Sequence, residues 1–142
     1  MKRRYWIVFA AFGFIVFFAL VSHAAEWKLF ATSEGASHYY DPQRIKHVSK
    51  DTMQVWKKMV FKEKSIQDVV KMLGPEFKEL SYEIMLCEYN CDEKNHRILS
   101  SKFYNKKRSV IHTSPKGSFS PWGFIIPDSV DGTLFNIVCG SR

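Results

Sequence analysis

The absences in this chain narrow its chemistry before anything else does. No Gly-x-Ser-x-Gly, no catalytic-cysteine signature and no His-Glu-x-x-His occurs, which removes the common hydrolase and metalloprotease constellations. Glycine is scarce, at seven residues, and none of it forms a loop shaped to cradle phosphate. There is no Cys-x-x-Cys-His for covalent haem. Cys87-x3-Cys91-x4-His96 superficially suggests a metal site, but structural zinc wants a second ligand pair nearby and none follows. His38, His47, His96 and His112 fall on expected strands and turns and read as surface residues. Glu76, Glu79, Glu83 and Glu88 read as acids on solvated faces rather than a catalytic pair. No enzymatic activity, metal or cofactor is therefore expected.

Acidic residues are the next scarcity: 14 stand against 21 Lys and Arg, an excess of +7 over 142 residues. Lys2, Arg3 and Arg4 open the chain, and an uncharged run from Tyr5 to Val21 follows. Ser22-His23-Ala24-Ala25 then sets small residues one and three places before a cut after Ala24. Together these read as a secretory signal peptide. The rival is a retained anchor, which would leave the protein membrane-associated. The run is 17 residues long, at the short edge of what spans a bilayer. Either way the basic start keeps the N-terminus inside and places residues 26–142 outside the cytoplasm. The expected organisation is a signal peptide over 1–24 and one domain over 25–142. Its place is the periplasm or outer surface of a Gram-negative-type bacterium. Cleavage leaves 18 basic residues against 14 acids, an excess of +4 that is short of a nucleic-acid-binding domain.

Cysteine is sparse too. Cys87, Cys91 and Cys139 all lie in the exported part, where thiols oxidise, so one pair and one leftover are expected. Cys87 and Cys91 lie four apart on one expected strand, about 13 Å between their Cα atoms. A disulfide needs less than about 7 Å, so one of them pairs with Cys139. Cys91 is the better placed, where the strand gives way to a turn. Its bond closes a loop of about 48 residues, for which chain entropy gives about 4 kcal/mol less any strain. Cys87 is then a buried thiol or a dimer-forming one, and a homodimer stays open.

What is present reads as strands first. Trp27 to Ala31 and His38 to Asp41 flank the turn Ser33-Glu34-Gly35-Ala36 as a hairpin, which Pro42 ends. Lys46 to Ser49 is a short strand. Thr52 to Phe61 is a long one, with Met53, Val55, Met59 and Phe61 on one face and Trp56 and Val60 on the other. Lys57 and Lys58 interrupt its apolar run as edge protection. Ser65-x-x-Asp68 resembles a capping box, and Ile66, Val69, Val70 and Leu73 give a helical face that Gly74-Pro75 stops. Residues 76–80 are ambiguous. Ser81 to Asn90, His96 to Tyr104 and Ser109 to His112 form a meander. A loop from Ser114 to Ser120 and an apolar approach from Trp122 to Ile126 lead into a final helix capped by Pro127-Asp128-Ser129. The expected fold is α+β: a single antiparallel sheet of about six strands, with a short middle helix and a C-terminal helix packed on it, closed by one disulfide.

This order of features resembles the surface-adhesin protein E family of small exported bacterial proteins. The resemblance rests on Trp27, Tyr39-Tyr40-Asp41 and Val55-Trp56-Lys57-Lys58, then on Tyr89-Asn90-Cys91 running into His96-Arg97-Ile98-Leu99-Ser100-Ser101 and Tyr104. Trp122-x3-Ile126-Pro127-Asp128-Ser129 and Val138-Cys139 complete it, over about residues 26–140. It implies one antiparallel sheet with helical packing, and that Cys91 and Cys139 correspond to the family's two spaced cysteines. Cys87 is extra, and the basic turn Asn105-Lys106-Lys107-Arg108 departs from the acidic, glycine-bearing turn the resemblance implies.

Partner contacts are expected on loops. Lys57, Lys58, Lys62 and Lys64 form one basic group, and Lys102, Lys106, Lys107 and Arg108 another around a turn tip. Each reads as a solvated face or as a patch for an anionic glycan, lipid headgroup or acidic protein. Trp56 and Trp122 read as core aromatics. Phe119 and Trp122 also flank a Pro/Gly/Ser loop that offers an exposed apolar contact. Lys106, Lys107, Arg108, Lys116, Phe119 and Trp122 are the candidate contacts of a non-enzymatic envelope protein that binds an unidentified protein or anionic glycan. The alternative is a periplasmic accessory factor that pairs its sheet edge with a partner strand.

Overall fold

The computed structural model describes residues 24–115 and 117–140. Residues 1–23, which hold nearly all of the expected signal peptide, and Lys116 lie outside the described residues. The elements run β1 (Lys28–Thr32), β2 (Ala36–Tyr40), β3 (Lys46–His47), β4 (Thr52–Phe61), α1 (Glu63–Leu73), β5 (Leu80–Asn90), β6 (Asn95–Asn105), β7 (Val110–Thr113), β8 (Gly123–Phe124) and α2 (Val130–Cys139). The main strands lie in the order β1-β2-β4-β5-β6-β7, with β3 added beside β4 and β8 beside β6, all antiparallel. This is the expected α+β fold: six main strands, two helices and a disulfide that ties the closing helix to the sheet.

Register decides which side chains share a face. Val55 lies opposite Cys87, and Cys87 opposite Ile98, so these three point the same way. Trp56, Leu86 and Ser100 form the adjacent row and point the other way. Helix α2 seats Leu134 and Val138 on the first face, against Tyr40, Met53, Val55, Met85, Cys87 and Tyr89. Burying Leu134 completely contributes about 2 kcal/mol. Helix α1 covers the far end of that same face. Its Ile66 and Val69 pack with Phe77 and Leu80, and Phe61 and Phe103 close on them from the sheet. Both helices thus serve one side, and among the described residues the other carries none.

Several local expectations change. Helix α1 begins at Glu63, two residues before Ser65, and its N-cap Lys62 supplies no side-chain cap. The Ser65 hydroxyl instead donates to the carbonyls of Gly35 (2.5 Å) and Lys62 (2.8 Å), pinning the helix to the β1–β2 turn. Residues 75–79 form a 3₁₀ turn that buries Phe77. Gly74, at φ 123°, makes the change of direction that an L side chain rarely adopts. At α2 the expected cap holds: Ser129 accepts from the Gly132 N–H at 3.0 Å.

Lys57 and Lys58 do not protect an edge, because β4 is central, between β2 and β5. Lys57 shares the parity of Val55 and is 7% exposed. Glu83, Glu88 and His38, expected on the surface, are buried as well. Each is paid for by a partner. Lys57 Nζ lies 2.7 Å from Asp131 on α2, Tyr89 donates to the same carboxylate at 3.3 Å, Ser101 donates to Glu83, and His38 Nε2 lies 3.1 Å from the Ser33 hydroxyl.

Candidate functional site

The helix-free face is built from the even-numbered positions of β4 and β5 and their partners. Row by row across β4, β5 and β6 it presents Gln54, Glu88 and Arg97, then Trp56, Leu86 and Ser100, then Lys58, Ile84 and Lys102, then Val60, Tyr82 and Tyr104. Because side chains alternate along a strand, burying the odd positions under helices forces these outward together.

At one end of this face, Arg97 reaches the buried carboxylate of Glu88 through Nε at 2.7 Å and Nη2 at 2.6 Å. Gln54 donates to the other Glu88 oxygen at 2.9 Å. The Arg97 guanidinium then serves as a floor for two rings, Trp122 at 4.5 Å and Phe119 at 5.4 Å. Trp122 is 40% and Phe119 54% exposed, so Trp122 is not the core residue expected. Phe124 and Ile126, still more open, continue an apolar rim beside them.

The middle is a cation–aromatic cleft. Asp41, fully buried, holds Arg44 Nε at 2.5 Å, and the guanidinium lies over the rings of Trp27 (5.9 Å) and Trp56 (5.5 Å). Lys58 stands over Trp27 at 5.7 Å and Tyr82 at 4.6 Å, and Tyr82 stacks on Tyr104 at 4.8 Å. Trp27, Arg44, Trp56, Ser100, Lys102 and Tyr104 line a cleft of about 300 Å³. Trp56 is half-buried here rather than in the core. Burial, with the Arg108 guanidinium nearby, pulls Lys58 below the ordinary lysine value. Burial and the neighbouring Tyr104 push Tyr82 above the usual phenol value.

The basic turn closes the other end. Lys106, Lys107 and Arg108 are exposed, and Asn105 shapes the turn by accepting from the N–H groups of Lys107 and Ser109, both at 2.9 Å. Arg108 takes the left-handed conformation at φ 64°. Lys106 lies 3.8 Å from Glu63. From Arg97 to Asn105 the strand runs about 26 Å, so the basic turn and the Phe119–Trp122 rim are separate ends of one face, not one patch. The other expected basic group disperses: Lys57 turns inward, Lys58 lies on the open face, and Lys64 pairs with Glu34 at 2.8 Å.

The cysteines resolve as paired and unpaired. Cys91 and Cys139 are bonded, with Cα atoms 5.6 Å apart. Cys87 is buried and free, and desolvation pushes its thiol up to about 12. Among the described residues no group of His, Cys, Asp and Glu is placed to hold a metal ion.

The model of the surface-adhesin protein E family matches residues 27–140. The chain belongs to that family. Solved structures of Haemophilus influenzae protein E resemble it. Crystal form II has 13% identity and a TM-score of 0.49, covering 83% of this chain and 97% of that one. A second structure of protein E has 12% identity and a TM-score of 0.48, covering 82% and 92%. Its selenomethionine form has 13% identity and a TM-score of 0.47, covering 84% and 94%. No curated protein matches. Membership in the surface-adhesin protein E family implies a surface adhesin.

The described contact residues expected from the sequence lie at the two ends of this face, and none of them lies in its middle. The signal was there: on β4, Gln54, Trp56 and Lys58 alternate with Val55 and Lys57, mixing aromatic and charged residues on one parity. Lys57 masks the contrast, because a lysine also sits on the core face.

Proposed function

We propose that the protein is an exported, non-enzymatic adhesin-like component of a bacterial cell envelope. It binds a macromolecular partner through the open face of its sheet, with the Lys106–Arg108 turn and the Phe119–Trp122 rim as the two ends of the contact. One observation carries this reading. Both helices pack on one side of the sheet, and the other side holds half-buried aromatics interleaved with cations instead of a polar, solvated surface. Aromatic and arginine side chains are those that interfaces favour. The test is capture of envelope or target-cell components, at low and high ionic strength. Binding that weakens as salt rises, and that falls in Lys102→Glu and Trp122→Ala, supports the reading. Binding indifferent to both removes it.

A second reading rests on β7, which ends the main strand order beside β6 and exposes Val110. A periplasmic accessory factor would add a partner's strand there. Protease protection of β7 in a periplasmic complex favours this reading, and labelling of the domain on intact cells favours the first.

A further inference from the structure

The cations of the open face fall into two groups. Arg44 and Arg97 are neutralised from within, by the buried carboxylates of Asp41 and Glu88. Lys58, Lys102 and Arg108 have no carboxylate partner among the described residues. Lys58 and Lys102 lie on either side of Ile84 in register, so their Cα atoms are about 10 Å apart across two strands. Arg108 adds to the field at Lys58, and Lys107 lies next to it in the same exposed turn. This end of the face is short of negative charge, and its complement is an extended anion rather than a single small one.

The cleft between those cations is mixed in character. Trp27, Trp56 and Tyr104 offer ring surfaces to the cleft, and Ser100 and the Tyr104 hydroxyl offer hydrogen bonds beside them. A sugar ring has the same duality, with an apolar C–H face and a polar rim. An acidic peptide satisfies the cations but leaves the rings without a matching flat partner.

We infer that the open face is a binding site for a sulfated polysaccharide of the surface to which the cell adheres. Sugar rings lie along Trp56 and Tyr104, and sulfates meet Lys58, Lys102 and Arg108. Sulfate keeps its charge across the physiological range and presents several oxygens, which suits separated lysine and arginine donors. This inference rests on the adhesin reading and adds the chemistry of the ligand.

The experiment uses the full chain, produced with its own export segment, and heparin oligosaccharides as the sulfated probe. Desulfated heparin and polyglutamate are the comparisons. The expected result is binding to heparin that weakens at least tenfold on desulfation and at least tenfold in Lys102→Glu/Arg108→Glu, with polyglutamate weaker than heparin. Lys78→Glu, on the helix side, keeps wild-type affinity. If the charge-reversed pair lowers the melting temperature, Lys102→Gln replaces it, with a loss of at least threefold expected. Equal affinity for desulfated heparin or for polyglutamate overturns the inference. Adhesion to target cells stripped of sulfated glycan separates the two levels. If it persists there but still falls in the open-face variants, the face binds a protein and the glycan inference alone fails. If those variants leave adhesion untouched everywhere, both fail.

Discussion

Asp131 holds α2 to the sheet by charge as well as packing. Its carboxylate takes the Lys57 ammonium at 2.7 Å and the Tyr89 hydroxyl at 3.3 Å. Burial alone would raise its pKa, but Lys57, His96 and the Tyr89 hydrogen bond together hold it below the ordinary aspartate value. Asp131→Ala leaves Lys57 charged without a partner in the interior. The expected loss is about 2 kcal/mol, under the range for fully enclosed pairs because a third of the Asp131 side chain reaches solvent. Urea unfolding measures it, and Lys57→Met, which leaves the more accessible partner, costs less. The depressed Asp131 pKa contributes stability that is present above about pH 4 and lost as pH falls through the folded value. His38 acts in the same direction from about pH 6.5 downward, since burial and Lys57 lower its pKa and the unfolded chain takes the proton first. Glu83 opposes both. Its pKa is raised by burial, so its contribution grows as pH falls and is lost as pH rises. Cys87, pushed up to about 12, is expected to resist a thiol-modifying reagent in the native protein and to react at one equivalent once unfolded; rapid labelling of the folded chain would refute its enclosure. None of this polar interior was legible beforehand. Alternation put Lys57 with Val55, but only the arrival of α2, 74 residues later, supplies the carboxylate that makes a buried lysine tolerable.

Helix α2 is fixed at both ends. Ser129 caps its start and the Cys91–Cys139 bond its finish, with Leu134 and Val138 buried between them. Replacing both cysteines with serine opens a loop spanning 48 residues, and the expected loss is about 4 kcal/mol, read as a lower urea midpoint. A much smaller loss would mean that packing alone holds the helix. This pairing was readable because strand geometry forbids Cys87 from bonding to Cys91, and the strand–turn boundary singles out Cys91. The start of α1 was not readable in the same way. The Ser65-x-x-Asp68 spacing matches a local capping pattern, but the Ser65 hydroxyl serves Gly35, 30 residues away, and the helix begins earlier. Local pattern finds elements well; it misassigns side chains whose partners are remote in sequence. The same holds for β8, whose two residues pair with Asn95 and His96 to turn an expected apolar approach into a strand.

Across the molecule, the sheet is a partition. One side is sealed by two helices over two apolar clusters, and the other carries Trp27, Trp56, Tyr82 and Tyr104 among arginines and lysines. The strands, their approximate ends and the fold class followed from alternation and turn residues. Which side the helices take did not, because both parities of β4 carry large apolar residues: Met53 and Val55 on one, Trp56 and Val60 on the other. For that reason Trp56 reads as core, and the candidate contacts fall only on the flanking loops. The most direct test is a scan of both sides for binding to target cells. Trp122→Ala, Lys102→Glu and Tyr104→Phe/Lys58→Gln sample the open side, and Met72→Ser and Lys71→Glu sample exposed positions on α1. The account predicts at least tenfold weaker binding for the open-side charge and tryptophan variants at unchanged melting temperature, with the α1 variants indistinguishable from wild type. Full binding by the open-side variants, with loss confined to the α1 positions, would contradict it.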